Sequence, residues 1–200
     1  MTTGTYHREN LRETLLEFAE RTVRRSGVEG LSLRQLARDA NVSHGAPARH
    51  FRDKQALLEA LALDGFQRLN QAMTDAAATS GSFDTRFRAI ATAYVSFVVE
   101  NAALLGLMYT VKHGADASET LVETGRRSMG ATVALIAEAQ AAGAVQSGDP
   151  ERLAFVAFAS VHGVAVLATS DMLDGVSVEE ATDAVVDMLL SAIAAPGPLA

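Results

Sequence analysis

Five histidines, at 7, 44, 50, 113 and 162, are the side chains here best suited to hold a metal or move a proton. Their spacing serves neither task. His44 and His50 stand six positions apart, on different sides of a helix, and no His-Glu-x-x-His occurs. Cysteine is absent, which removes disulfides, thiolate metal sites and a thiol nucleophile, and agrees with a reducing cytoplasm. There is no Gly-x-Ser-x-Gly elbow and no phosphate-cradling glycine loop. The carboxylates Glu179, Glu180, Asp183 and Asp187 read as a solvated helix face. The expectation is a protein that binds rather than catalyses, without cofactor or metal; an enzyme would have to assemble its site from scattered residues.

Charge points to what is bound. The net charge of −7 argues against a nucleic-acid partner until the chain is divided at Gly65. Residues 1–65 carry ten Lys and Arg against nine Asp and Glu, with His7, His44 and His50 as further potential cations. Residues 66–200 carry seven against fifteen. A near-neutral, arginine-rich head on an acidic body is compatible with phosphate contact at one end only.

The elements that must position these groups are helical. Prolines fall only at 47, 150, 196 and 198, and no sustained strand alternation occurs, so the fold class is all-α. The first helix is predicted over Glu9–Arg25, with Leu11, Leu15, Phe18, Ala19 and Thr22 inward and Gly27 as its stop. Glu17–Arg21 and Glu20–Arg24 pairs occupy its solvated face. Ser32 with Gln35 forms a capping-box pattern for a short helix that buries Leu36, Ala37 and Ala40. Asn41 tolerates the left-handed backbone that ends it, Val42 is a buried plug, and Ser43 caps a second short helix ending near Phe51. This is helix-turn-helix grammar. Asp53 then caps a longer helix from Lys54 to about Ala77, with Leu57, Leu58, Leu61 and Phe66 inward.

Thr79-Ser80-Gly81-Ser82 is the best linker. Residues 1–65 are assigned to a three-helix DNA-binding head and 66–200 to a ligand-binding, dimerising body. Further helices are predicted at about 84–100, 102–113, 118–142, 150–171 and 178–194. Asp149-Pro150 and the Ser177/Glu180 box mark two starts. The helix from Pro150 is apolar nearly all round, so it should be enclosed on every side, part of that enclosure being a subunit interface. Ala159, Gly163, Ala165 and Ala168 would allow close approach there. Val178, Val185, Met188, Leu189 and Ile193 make the last helix its packing partner, and Ala194–Ala200 reads as a frayed tail. Neither a basic-then-apolar leader nor an uninterrupted span is seen, so the expected location is cytoplasmic, with no membrane partner.

From Leu31 to Leu61 the sequence reads LSLRQLARDANVSHGAPARHFRDKQALLEAL. The spacing from Leu36-Ala37 through Val42-Ser43 to His50-Phe51 and Lys54 closely resembles the DNA-binding head of the TetR family of repressors. Ala93-Tyr94 to Glu100-Asn101, Leu107-Met108-Tyr109 and Val161-His162-Gly163 are similar to a subgroup named for a Trp-His-Gly motif, with Val161 in place of Trp. The resemblance implies a homodimeric, ligand-responsive regulator of operator DNA, a repressor more than an activator. The helix from Ser43 to His50 would enter the major groove, two copies reading half-sites about 34–36 Å apart.

Chemistry then divides the roles. Arg34, His44 and Arg49 are the long polar side chains facing the groove, Arg suiting guanine O6 and N7. Gly45 and Ala46 permit close backbone approach, and Ala46 can meet a thymine methyl. Lys54, His50, and Ser43 or Ser32 are placed for phosphates, while Arg8 and Arg12 either reach an adjacent groove or are solvated.

Two residues depart from the family pattern. Ala48 stands where a DNA-bonding Tyr is usual, losing about 1 kcal/mol per subunit, and Pro47 replaces an inward aliphatic residue. They keep open a ligand-binding protein that no longer reads DNA.

In the body, Phe87, Tyr94, Phe97, Leu105, Met108, Tyr109, Met129, Phe155, Phe158 and His162 either line a cavity or fill a core. His162 is a satisfied core or interface histidine or a ligand donor.

Overall fold

The computed structural model describes residues 11–195, and among these it holds nine α-helices, two single 3-10 turns and no strand. The helices are α1 (Leu11–Ser26), α2 (Leu33–Asp39), α3 (Lys54–Ala77), α4 (Phe83–Glu100), α5 (Ala102–Lys112), α6 (Glu119–Arg126), α7 (Gly130–Ala141), α8 (Pro150–Thr169) and α9 (Val178–Ile193). The 3-10 turns are Pro47–Arg49 and Arg127–Met129. The described residues fold as two compact units, one of residues 11–66 with Ala103–Gly125, the other of Gln67–Ala102 with 126–195.

Local signals act where the sequence places them. Gly27 stops α1 at φ +69°, and Asn41 ends the α2 segment at φ +54°, a conformation its short polar side chain tolerates. Asp149 accepts from the Glu151 and Arg152 amides with Pro150 as the first residue of α8. Ser177 and Glu180 close a full capping box at α9. At α2 the box is half closed: Ser32 Oγ accepts from the Gln35 amide at 3.3 Å, but the Gln35 side chain donates to Asp39 at 2.6 Å.

In the first unit, Leu15, Ala19, Leu36, Ala37, Leu57, Leu61 and Phe66 are fully buried. In the second, α8 packs against α4, α7 and α9, and α4 packs against α7 and α9. Arg88 on α4 ties to α9 through Asp183 at 2.8 Å and through Asp187.

Several expectations are corrected. The second helix of the head is not an α-helix from Ser43 to His50 but a turn followed by the single 3-10 turn Pro47–Arg49. Pro47 has no N–H to donate to the Ser43 carbonyl, which instead accepts from Ala46 at 2.9 Å, and Gly45 adds backbone entropy. Val42 and Ala40 are half-buried rather than core. The helix expected over 118–142 is broken at 127–129, between Gly125 and Gly130, two positions of poor helix propensity. Gly125 packs flush against its neighbours, for a Cβ there would meet Lys112 Cδ at 2.7 Å.

Helix α8 is enclosed on one side only. Ala154, Ala157, Val161, Val164 and Ala165 are buried, whereas Phe155 is 60% and Val156 51% exposed, with Val166 and Leu167 also open. Ala165 therefore faces the core rather than a partner helix. By length and composition alone α8 would also suit a membrane span, a property shared by core helices such as this one, which packs against three others. The packing face of α9 is Thr182, Val186, Leu189 and Ile193, while Met188 points outward, 61% exposed. Ala194 is not frayed: it bridges Val145, and the Ala195 amide donates to the Ala144 carbonyl at 3.2 Å.

Candidate nucleic-acid interface and ligand cavity

Two buried residues hold the segment that follows Asn41. Pro47 is fully buried and Phe51 is 2% exposed, and the Phe51 amide donates to the Pro47 carbonyl at 2.9 Å. With these anchors inward, the residues before and between them turn to solvent: Ser43, His44, Gly45, Ala48, Arg49 and His50 are exposed, and Ala46 is half-buried. Arg34 and Ser32 are exposed on α2, and Lys54 is half-buried at the start of α3.

Gly45 is informative. Its φ is not positive, and a Cβ built on it would meet nothing within 4 Å, so neither turn geometry nor packing demands glycine there. The position is open on the outer surface.

At the start of α3, Asp53 Oδ1 accepts from the Ala56 amide at 2.7 Å and Asp53 Oδ2 from Arg52 Nε at 3.1 Å. One helix-terminal N–H is thus already satisfied, and the Asp53 carboxylate occupies this helix end beside the half-buried Lys54. Arg12 does not extend freely, since its guanidinium lies over the Phe51 ring at 5.6 Å. Arg8 lies outside the described residues. Arg52, an exposed cation beside this surface, carries no motif signal and was not singled out by sequence.

A second site lies wholly in the second unit: a cavity of about 30 Å³ bordered by Met73, Phe87, Ile90, Ala91, Tyr94, Met129, Thr132, Ala157, Phe158 and Val161. It has room for about two water molecules, an order of magnitude below a drug-sized pocket. Beside it Tyr94 Oη is hydrogen-bonded to His162 Nδ1 at 2.7 Å. Phe158 stacks on His162 at 5.4 Å and meets Tyr94 edge-on at 5.5 Å. Burial pushes the His162 imidazole below its ordinary value, favouring the neutral ring.

Of the residues named from sequence, Phe87, Tyr94, Met129 and Phe158 meet at this cavity, and His162 joins through Tyr94. Phe97 is half-buried farther along α4 and does not border it, and Phe155 faces solvent. Leu105, Met108 and Tyr109 belong to the first unit. There Met108 fills the space over Gly65, where a Cβ would meet its Sδ at 2.6 Å. Tyr109 packs edge-on against Phe66 at 5.7 Å, and Lys112 Nζ lies over both rings.

Met73, Ile90, Ala91, Thr132, Ala157 and Val161 were missed. Helical spacing from Phe87 to Ile90, Ala91 and Tyr94, and from Ala157 and Phe158 to Val161, was the available signal. Among the described residues no group of three His, Asp or Glu is placed to hold a metal.

Comparison with known proteins bears on both sites. Residues 15–61 match the family model described as bacterial regulatory proteins, tetR family, and residues 87–193 match the tetracyclin repressor-like C-terminal domain. No curated protein matches the sequence. Among solved structures, a protein of unknown function from Rhodococcus sp. RHA1 is 49% identical, with a TM-score of 0.89, covering 96% of this chain and 99% of that one. The TetR-family regulator PfmR from Thermus thermophilus shares the fold at 19% identity and a TM-score of 0.70, over 88% of this chain and 97% of its own. A TetR-family regulator from Marinobacter aquaeolei does so at 17% identity and 0.74, over 96% and 99%.

Proposed function

This chain belongs to the TetR family of DNA-binding transcriptional regulators, and on that footing we propose that it is a ligand-responsive repressor, cytoplasmic, acting as a homodimer on a palindromic operator. The observation that carries this reading is the surface between Pro47 and Phe51 and its surroundings. Arg34, His44, Arg49 and His50 all face solvent around a glycine that the fold itself does not need. Arg49 and Arg34 read base edges, His44 assists them, Gly45 and Ala46 set the approach, and Lys54, His50, Ser43 and Ser32 contact phosphates.

The exposed apolar side of α8, with Phe155, Val156, Val166 and Leu167, together with Met188 of α9, supplies the self-association face. A Cβ at Gly163 would meet nothing within 4 Å, which leaves room for a close helix on that side. The two reading heads then match two half-sites, and a small molecule in the second unit favours a state in which they do not. It shifts that equilibrium only by its difference in affinity for the two states. Helix α3 is the covalent route of this coupling, since it carries Leu57 and Leu61 in the core of the head and Met73 in the cavity wall.

Selection from a random duplex pool with purified full-length protein tests the reading. Enrichment of a palindromic site whose binding weakens steeply with salt supports it. A pool that enriches nothing favours a second reading, a ligand-binding protein that no longer reads DNA, to which the broken reading helix and Ala48 lend weight.

A further inference from the structure

We propose that the cavity of the second unit takes a neutral, largely apolar ring compound carrying one hydroxyl or carbonyl oxygen, and that Thr132 holds this oxygen. The inference rests on the ligand-responsive reading above and narrows it to a ligand class.

Charge decides the first part. None of the residues bordering the cavity is Asp, Glu, Lys or Arg, and the neighbouring His162 is biased toward its neutral form. A carboxylate or ammonium brought into this space would lose its water without gaining a counter-charge. An uncharged compound meets instead the apolar rings of Phe87, Tyr94 and Phe158, which suit another ring.

The second part comes from two hydroxyls. Thr132 borders the cavity, is 8% exposed, and makes no hydrogen bond among the described residues. One turn earlier Ser128 is 7% exposed and its Oγ also lacks a partner. Elsewhere in this protein buried helical threonines return the proton to the carbonyl four residues before, Thr22 to Phe18 at 2.8 Å and Thr182 to Val178 at 2.7 Å. Thr132 does not, and it stands on the cavity wall, 8% exposed. Its hydroxyl therefore stands ready to pair with an oxygen that enters the cavity.

Size decides how the compound enters. A space of about 30 Å³ is too small for a ring unless the walls move, and two of those walls are Met73 and Met129. Unbranched thioether chains have several rotatable bonds and yield more readily than the rings opposite.

The test uses 2-naphthol, naphthalene and 2-naphthoate as probes on the full chain, without DNA. The sequence has no Trp, so naphthyl emission is read without indole interference. We expect 2-naphthol and naphthalene to bind and 2-naphthoate to bind at least tenfold more weakly than 2-naphthol. With the protein labelled at methionine methyl groups, the signals of Met73 and Met129 move on adding 2-naphthol. Thr132→Val, which keeps the shape, lowers 2-naphthol affinity about three- to tenfold, leaves naphthalene within about twofold, and melts no lower than the parent because it removes an unpaired hydroxyl.

Equal binding of the naphthoate, unmoved Met73 and Met129 signals, or equal loss of both neutral probes in Thr132→Val would overturn the proposal. Operator binding is followed separately. If it persists while no probe binds, the ligand class is wrong and the regulator reading stands. If the probes bind as expected and no duplex does, the ligand class stands and the regulator reading fails.

Discussion

Tyr94 Oη and His162 Nδ1 lie 2.7 Å apart, joining α4 to α8 by a hydrogen bond flanked by the Phe158 ring. Desolvation lowers the folded-state pKa of His162 from its ordinary 6.5. Below pH 6.5 the unfolded chain therefore binds a proton that the folded chain resists, and stability is lost as pH falls toward the folded value. The melting temperature should decline from pH 7.5 to 5.5, and the decline should be smaller in His162→Phe. An identical pH dependence in both proteins would show that His162 is not the titrating group.

Self-association is predicted to run through the open side of α8 and α9. Phe155→Glu combined with Met188→Glu places two charges on side chains 60% and 61% exposed in the single chain. The variant should keep its helical circular dichroism yet elute as a monomer in light-scattering chromatography. A dimer of undiminished affinity would place the interface elsewhere.

The capping box at α9 gives a stability prediction. Ser177 Oγ accepts from the Glu180 amide at 3.1 Å, and Glu180 accepts from the Ser177 amide at 3.0 Å. Ser177→Ala should cost about 1 kcal/mol in urea unfolding, within the usual range for a lost N-cap. A change under about 0.3 kcal/mol would mean that water replaces the box without penalty.

Ala48 is exposed on the reading segment. Ala48→Tyr should add a DNA contact worth about 1 kcal/mol per subunit, hence roughly fivefold tighter operator binding for one such contact. Weaker binding would mean that the 3-10 turn directs position 48 away from the duplex.

Helix existence was legible because apolar periodicity and caps agree, as at Asp149-Pro150 and Ser177. The gap between Pro47 and a true helix was legible only in part: a proline in the first turn is ordinarily tolerated, and the cost appears when Gly45 precedes it. The break at Arg127–Met129 was hidden because Gly125 and Gly130 interrupt an otherwise helical pattern without stopping it, and the packing of Gly125 against Lys112 and Phe66 exists only in the fold.

The same limit governed the cavity. Phe87 and Tyr94 were visible as aromatic residues at helical spacing. Met108 and Tyr109 have the same composition and belong to the core of the other unit, a partition that depends on tertiary packing. Thr132 gave no signal at all, because an unpaired hydroxyl is a property of the fold and not of the residue.

The central claim is that Arg49 reads bases and Lys54 reads phosphates. It is tested most directly by fluorescence anisotropy of the selected operator across a salt series, with parent, Arg49→Ala and Lys54→Ala proteins beside a scrambled duplex. Arg49→Ala is expected to lose about 1–3 kcal/mol on the operator and little on the scrambled duplex. Lys54→Ala should weaken both alike and flatten the salt slope by about 1 per subunit. Loss of the same size on both duplexes for Arg49→Ala, or no loss at all, would contradict the account.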